Sequence, residues 1–317
     1  MYKCRSLAIT GATGFVGGAL LGELTDYNLT VFGRNEPANL NGKFVKVDLS
    51  SDVDYGEHFK SIDVVIHCAA RAHIMSDDEL DPLSTYREIN TAGTLNLARQ
   101  AADAGVKRFI FISTIKVNGE STTGKPAFNE GSLVNPKDPY SISKMEAEQG
   151  LRAMSDETGL EVVIIRPPLV YGEGVKANFL SLLKLSSSRI PLPFGSIRNK
   201  RSMIYIVNLV DFISVCIDHT KAANQTFIIS DGVDVSLTSL LIYLRKAFGQ
   251  SPRLMPFPMF LFKFAGALAG KRAVVDRLIG DLQVDSSKAQ KVLAWTPPFT
   301  VEQAIQETVN RYVKGNN

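Results

Sequence analysis

Short runs of β-branched and other apolar residues alternate with longer stretches of helical spacing through the first half of the chain. The runs at Ser6–Thr10, Leu29–Phe32, Phe44–Val47, Val64–Cys68, Arg108–Ser113 and Val162–Arg166 predict strands. The stretches at Val16–Leu24, Pro82–Ala104 and Tyr140–Glu157 predict helices between them. In the second of these, Ile89, Ala92, Leu95, Leu97 and Ala98 recur among polar positions at helical spacing. Strand–helix alternation of this kind predicts an α/β fold with a parallel sheet.

After Arg166 the pattern changes. Pro167, Pro168, Pro191 and Pro193 break the regularity, which places a boundary near residue 167. Further strands are predicted at Met203–Val207 and Thr226–Ser230, with a helix from Asn208 to His219 between them, so the chain is expected to re-enter the first lobe. The expected architecture is a Rossmann-type doubly wound parallel sheet with a smaller C-terminal substrate lobe. Residues 1–167 plus about 203–231 would bind a dinucleotide, and about 168–202 with 232–317 would bind substrate.

With 317 residues, 45% of them hydrophobic, the chain can bury a core without disulfides or a metal, and no metal is expected. A net charge of +3 is too small to argue for nucleic acid. Cys4, Cys68 and Cys216 show no C-x-x-C spacing and read as reduced thiols of a cytoplasmic protein. The apolar residues 7–9 run at once into glycine-rich loop chemistry, unlike a secretory signal. The very apolar stretch 256–270 is interrupted by Lys263 and is short of the ~20 residues that span a bilayer. It reads as a buried or interface helix of the second lobe, with peripheral membrane contact as the other reading.

The chemistry begins with Gly11-Ala12-Thr13-Gly14-Phe15-Val16-Gly17, a G-x-x-G-x-x-G turn between a strand and a helix. Gly11 permits a tight turn, Gly14 lets backbone approach a pyrophosphate, and Gly17 permits close helix–strand packing. Arg34 closes the second strand where an acidic residue would grip a ribose 2′-hydroxyl. A guanidinium there suits a 2′-phosphate, so NADP(H) is favoured over NAD(H). Asp48, followed by Leu49, is placed after the third strand to accept from an adenine amino group.

Tyr140 and Lys144 stand four apart at a helix start and so share one face. The lysine ammonium is expected to lower the phenol's pKa toward working pH, letting it exchange a proton while hydride moves at a carbon. Upstream, Ser113 and Thr114 end a strand and compete to supply a hydroxyl to the same substrate oxygen.

In this combination the chain resembles the extended short-chain dehydrogenase/reductases, specifically the NAD-dependent epimerase/dehydratase family that acts on nucleotide sugars. The resemblance extends to His67-Cys68-Ala69-Ala70, like the family's loop behind the nicotinamide ribose, and to the helix motif at Asn90-Thr91-Ala92-Gly93-Thr94. It also takes in Arg166-Pro167-Pro168-Leu169-Val170-Tyr171-Gly172. It implies cofactor contacts from Cys68, Ala69, Ala70, Asn90, Ser113 and Pro167, and gives Thr114 the catalytic hydroxyl position. Asn118 stands where the family usually has tyrosine. Asn178, Arg201 and Arg277 fall at or near the family's positions toward the sugar diphosphate, and Trp295 belongs to a C-terminal structural pattern. A homodimer is the family's habit.

Three reactions share the scaffold so implied. Sugar 4,6-dehydratases follow the threonine with Asp-Glu, whereas Thr114 here precedes Ile115 and Lys116, which argues against dehydration. A 4-keto reductase consumes reductant each turnover, and Arg34 favours it through NADPH. A 4-epimerase needs no net reductant; galactose epimerases carry a lysine where this chain has Ala72. The expectation is an NAD(P)-dependent enzyme acting at carbon 4 of a nucleotide sugar, reducing a UDP-4-keto-6-deoxy-hexosamine for surface polysaccharide. A UDP-glucose or UDP-N-acetylglucosamine 4-epimerase is the alternative. A reductase of hydrophobic ketones and a non-catalytic NADP-binding sensor are further alternatives, the last opposed by the intact Tyr140/Lys144 pair.

Overall fold

The apolar runs of the first half stack side by side as parallel strands, joined by helices except between residues 33 and 42, where a loop makes the connection. The computed structural model describes residues 5–50, 52–71, 81–175, 177–258, 260–262, 270 and 272–315, with backbone alone at 177–178 and 272–274. The strands are β1 (Ser6–Thr10), β2 (Asn28–Gly33), β3 (Gly42–Lys46), β4 (Val64–His67), β5 (Arg108–Ile112), β6 (Glu161–Arg166), β7 (Leu169–Tyr171), β8 (Met203–Tyr205) and β9 (Thr226–Ile228). The α-helices are α1 (Phe15–Glu23), α2 (Gly56–Phe59), α3 (Pro82–Tyr86), α4 (Gly93–Asp103), α5 (Pro139–Thr158), α6 (Ala177–Ser187), α7 (Ile206–Asp218), α8 (Leu237–Ala247), α9 (Arg272–Ile279), α10 (Ser287–Leu293) and α11 (Val301–Gly315).

Seven strands form one parallel sheet in the order β3-β2-β1-β4-β5-β6-β9. Successive residues of each strand serve opposite faces. Leu7, Ile9, Ile66, Ile110 and Ile165 pack into one core, and Ala8, Val65, Phe109, Phe111 and Ile164 into another. Burial on both faces is why these strands read as continuous apolar runs. The order reverses between β1 and β4, the place where such sheets open a crevice at their carboxyl ends.

β8 departs from the strand predicted at Met203–Val207. It stops at Tyr205, pairs with β7 in a separate two-stranded sheet, and gives way at Ile206 to α7. The buried carboxylate of Asp231 causes the turn. It accepts from the Tyr205 amide at 2.9 Å and from Asn208 Nδ2 at 2.8 Å, drawing the backbone out of strand geometry. The helix predicted over Pro82–Ala104 also differs, because a π-turn at Arg87–Ala92 interrupts it. Single π-turns inside helices re-aim side chains; here the turn carries Asn90 inward.

α5 shows why its first residues are fixed in place. Asp138 and Ser141 form a capping box, Pro139 opens the helix, and Gly159 closes it with φ of 76°. Lys144, Ala147, Glu148 and Leu151 are buried along one face.

Residues 281–285 lie as a stave between the loop bearing Thr122 and Phe128 and the segment of Lys200 and Ser202. On one side the Thr122 amide donates to Asp281 O and the Phe128 amide to Gln283 O, both at 2.9 Å. On the other, Ser202 donates to Leu282 O and Leu282 to Lys200 O, again at 2.9 Å. Among the described residues, no helix is long and apolar enough to cross a membrane. The residues 259 and 263–269 of the apolar stretch, and Ala72 and Cys4, lie outside the described residues.

Candidate active site

A cleft of about 310 Å3 opens at the carboxyl ends of the central strands. Each strand end contributes the residues that follow it. Gly11, Gly14, Phe15, Val16 and Gly17 come after β1, Cys68 and Ala70 after β4, Ser113 and Thr114 after β5, and Pro167 after β6. Tyr140 and Lys144 enter from the first turns of α5. A second cavity, of about 260 Å3, lies among Asp231, Tyr243, Phe299 and Glu302 and holds none of these residues.

The glycine turn fits a dinucleotide on geometric grounds. Gly11 has φ of +72°, and a Cβ on it would lie 2.6 Å from the Ala69 amide nitrogen. A Cβ on Gly17 would lie 2.3 Å from the Gly11 carbonyl oxygen, so only glycine lets α1 start this close to the turn. No side chain caps α1. The amides of its first turn are thus left to an anion, and the helix dipole favours one there.

Lys144 is 1% exposed and donates from Nζ to the Ile112 carbonyl at 2.8 Å. Its Nζ also sits 4.2 Å from the centre of the Phe111 ring. Burial pulls its pKa down to about 8, against the opposing charges of Cys68 and Glu148. The Tyr140 phenol behaves opposite to expectation. Desolvation first, then the charge of Asp138, push it up to about 12. The Lys144 ammonium is engaged by Ile112 and does not offset that burial. Tyr140 is half-buried, its ring edge-on to Tyr86 with centres 6.3 Å apart.

Ser113 and Thr114 both line the cleft but differ in their commitments. Ser113 is buried and donates to Glu148 Oε1 at 2.6 Å. Thr114 is less buried, and its Oγ1 accepts from the Lys116 amide at 3.3 Å, which leaves its proton to the cleft side. Glu148 is fully buried and also receives Arg166, whose third contact is Asn118 Oδ1 at 3.0 Å. Thus Asn118 anchors the arginine. The sequence reading missed Glu148; its signal was the i+4 step from Lys144 along one helix face.

Asn90 does not line the cleft. It is buried, accepts from the Arg71 amide at 2.8 Å, and donates to Arg71 O and Ser143 Oγ, each at 3.1 Å. It thereby clamps the loop after β4 to α5. His67 anchors the same loop from beneath, between Thr10 Oγ1 at 2.7 Å and Thr94 Oγ1 at 2.9 Å. Thr94 spends its proton on Asn90 O, so Nε2 of His67 must donate and Nδ1 must accept. Burial holds this imidazole neutral, down to about 3.

Other predicted residues lie apart from the cleft lining. Thr13 and Arg34 are exposed, Arg34 one residue beyond β2. Asp48 is exposed, and Leu49 and Ala69 are half-buried. Arg201 and Arg277 are neighbours: Arg201 donates to Arg277 O at 2.8 Å and to Gly280 O at 3.2 Å. The side chain of Asn178 lies outside the described residues.

Residues 7–230 match the profile of the NAD dependent epimerase/dehydratase family. A UDP-glucose 4-epimerase of Vibrio cholerae is 49% identical over 318 residues, covering 99% of this chain and 97% of that protein. Among solved structures, UDP-glucose 4-epimerase of Thermotoga maritima with UDP-glucose superposes with a TM-score of 0.77 at 23% identity, covering 99% of this chain and 100% of that one. UDP-glucuronic acid 4-epimerase of Bacillus cereus in complex with NAD gives 0.77 at 21% identity, with the same coverage. With its glycine turn, Tyr140/Lys144 pair and sheet order in place, the chain belongs to the NAD-dependent epimerase/dehydratase family of nucleotide-sugar enzymes.

Proposed function

We propose that the protein is a UDP-hexose 4-epimerase that keeps NAD and inverts carbon 4 of UDP-glucose or its N-acetylated counterpart. The observation that carries this reading is the 49% identity, over nearly the full length of both chains, to the Vibrio cholerae UDP-glucose 4-epimerase. It displaces the net reduction favoured from sequence. That preference rested on Arg34 beside Gly33, with the missing Asp-Glu pair after Thr114 and with Ala72; Arg34 is an exposed side chain at the strand end, and NAD, as bound in the Bacillus cereus relative, is the cofactor we assign. The site also supports epimerisation over dehydration. Lys116, in the position where dehydratases place an acid, pairs with Asp138 at 2.6 Å.

When bound, NAD supplies the hydride acceptor and then the donor. Tyr140 takes the proton of the carbon-4 hydroxyl and returns it after the keto sugar has turned over. The phenol as it stands is protonated, so it acts as a base only after losing that proton to solvent, which the Lys144 ammonium favours once it turns from the Ile112 carbonyl toward it. Thr114 holds the same oxygen by a hydrogen bond. Residues 168–202 and 232–317 form the substrate lobe, where Arg201 and Arg277 together receive the diphosphate. Asn178, on α6, is assigned to the sugar end of that lobe. Asn90, Ala69 and Thr13 shape the turn that receives the dinucleotide, and Asp48 with Leu49 lies toward its adenine end. The assembly is a homodimer, and the compartment is the cytoplasm, which keeps Cys68 and Cys216 as thiols.

The test is one incubation. Purified protein given UDP-glucose and no added nucleotide should form UDP-galactose, and its denaturation should release NAD(H). The same incubation with UDP-N-acetylglucosamine reports the choice of sugar. If epimer forms only at background rate, while added NADPH is consumed with a UDP-4-keto-6-deoxy sugar, the reductase takes its place.

A further inference from the structure

Charge is distributed unevenly along this chain. Between Glu173 and Asp211 it carries six basic residues and no acidic one, and between Asp234 and Asp276 six more and again no acidic one. All 32 acidic residues therefore lie elsewhere, together with 23 of the 35 basic ones. A chain that is nearly neutral overall thus has a strongly cationic portion.

The fold brings the two stretches together. Leu192 pairs with Leu254, the Leu192 amide donates to Arg253 O at 3.1 Å, and the Gly195 amide donates to Met255 O at 2.9 Å. Buried Arg245 ties both down from below, donating to Pro252 O at 2.8 Å and to Ser188 O at 3.2 Å. Phe194 stacks on Phe262 with ring centres 5.5 Å apart, which fixes the segment bearing Phe260 against the same lobe. Three large apolar side chains in these joined stretches are exposed: Ile190 at 66%, Met255 at 51% and Phe260 at 67%. Arg189 and Arg253, both exposed, flank the first two.

We propose that this face docks on an anionic phospholipid bilayer, with Ile190, Met255 and Phe260 entering the interface and Arg189 and Arg253 meeting headgroup phosphates. Apolar tips inside a cationic surface match the two attractions that hold a peripheral protein: apolar area buried at the acyl boundary and basic groups drawn to negative lipid. A polyanion such as nucleic acid would answer the charge but leave the three apolar side chains in water. A second copy of the chain would cover them but set like charges together. The bilayer answers both.

The experiment is cosedimentation with vesicles, which needs no substrate and so is independent of the reaction assigned above. The protein should pellet with vesicles of phosphatidylcholine mixed with phosphatidylglycerol, remain in solution with phosphatidylcholine alone, and be released by salt. The pair Met255→Asp and Phe260→Asp, and separately the pair Arg189→Glu and Arg253→Glu, should each lower partitioning by roughly tenfold or more. Turnover of the soluble nucleotide sugar and the far-ultraviolet circular dichroism should stay as in wild type, which separates lost docking from lost folding. Equal pelleting with both vesicle types, no pelleting with either, or undiminished pelleting of either variant pair overturns the proposal. So does a change of oligomeric mass in the apolar variant without any vesicle binding by wild type, which would make a second copy the occupant.

Discussion

Ser113 donates its hydroxyl to the buried carboxylate of Glu148 at 2.6 Å, and this separates the duties of two adjacent hydroxyls. Thr114 is then the one available to a substrate oxygen. Thr114→Val should lower kcat by roughly 10- to 100-fold with an unchanged unfolding midpoint. Ser113→Ala should cost about 1–3 kcal/mol of stability, because a buried charge loses a donor, and change kcat little. Steady-state rates beside urea titrations read both. The reverse pattern would move the catalytic role to Ser113.

Tyr140→Phe removes the proton carrier and almost no volume. Turnover should fall by roughly 10²–10⁴, the range for general acid–base groups, while NAD(H) released on denaturation stays at the wild-type amount. Near wild-type turnover in this variant would remove Tyr140 from the proposed chemistry.

The Lys144 ammonium is held at about 8 by burial, below its ordinary 10.5. Between those values the unfolded chain keeps a proton that the folded one has released, so stability from this group rises with pH. Lys144→Met does not titrate and removes the effect. Wild type should therefore gain on the variant by up to about 3 kcal/mol between pH 8 and pH 10.5, read from paired denaturant titrations. A difference that does not move across that window would show that Lys144 is not buried as a cation.

Arg166 and Glu148 are 3% and 0% exposed. Arg166→Met alone leaves a buried carboxylate whose remaining salt bridge is to the partly exposed Arg152, at 3.0 Å, beside the Ser113 hydroxyl. It should cost about 3–5 kcal/mol. Replacing both Arg166 and Glu148 with Met should cost clearly less than the two single changes added together, since each single change strands a charge. Additive losses would show that the pair is not coupled.

The parallel strands were legible because each is an apolar run with a buried residue on both faces, and the glycine turn because only glycine fits 2.3–2.6 Å from backbone. Met203–Val207 misled for the same reason the others did not. An apolar run looks alike in a strand and in a buried helix, and Ile206 belongs to the helix. The interruption at Arg87–Ala92 has no local signature; it follows from Asn90 reaching Arg71 and Ser143, 19 and 53 residues away. Glu148 and Arg166 lie 18 residues apart, and nothing local pairs them until the fold sets them against each other. The lowered phenol pKa failed as an expectation because spacing alone predicts a shared helix face, but not that Ile112 would hold the ammonium.

The stave at 281–285 makes the chain's last third a fastener for two segments of its middle third. Thr122 and Phe128 lie in the loop that follows Thr114, and Lys200 to Ser202 carry Arg201, and both sets close onto the same few peptide groups. The two sets are expected to open together. In deuterium exchange, the amides of Phe128, Ser202, Leu282 and Asp285 should therefore lose protection together, at one common rate, instead of dividing by lobe. Two rates would mean that substrate entry can loosen one side alone. A single rate would make release of product a concerted opening, with the chain's far end setting its tempo.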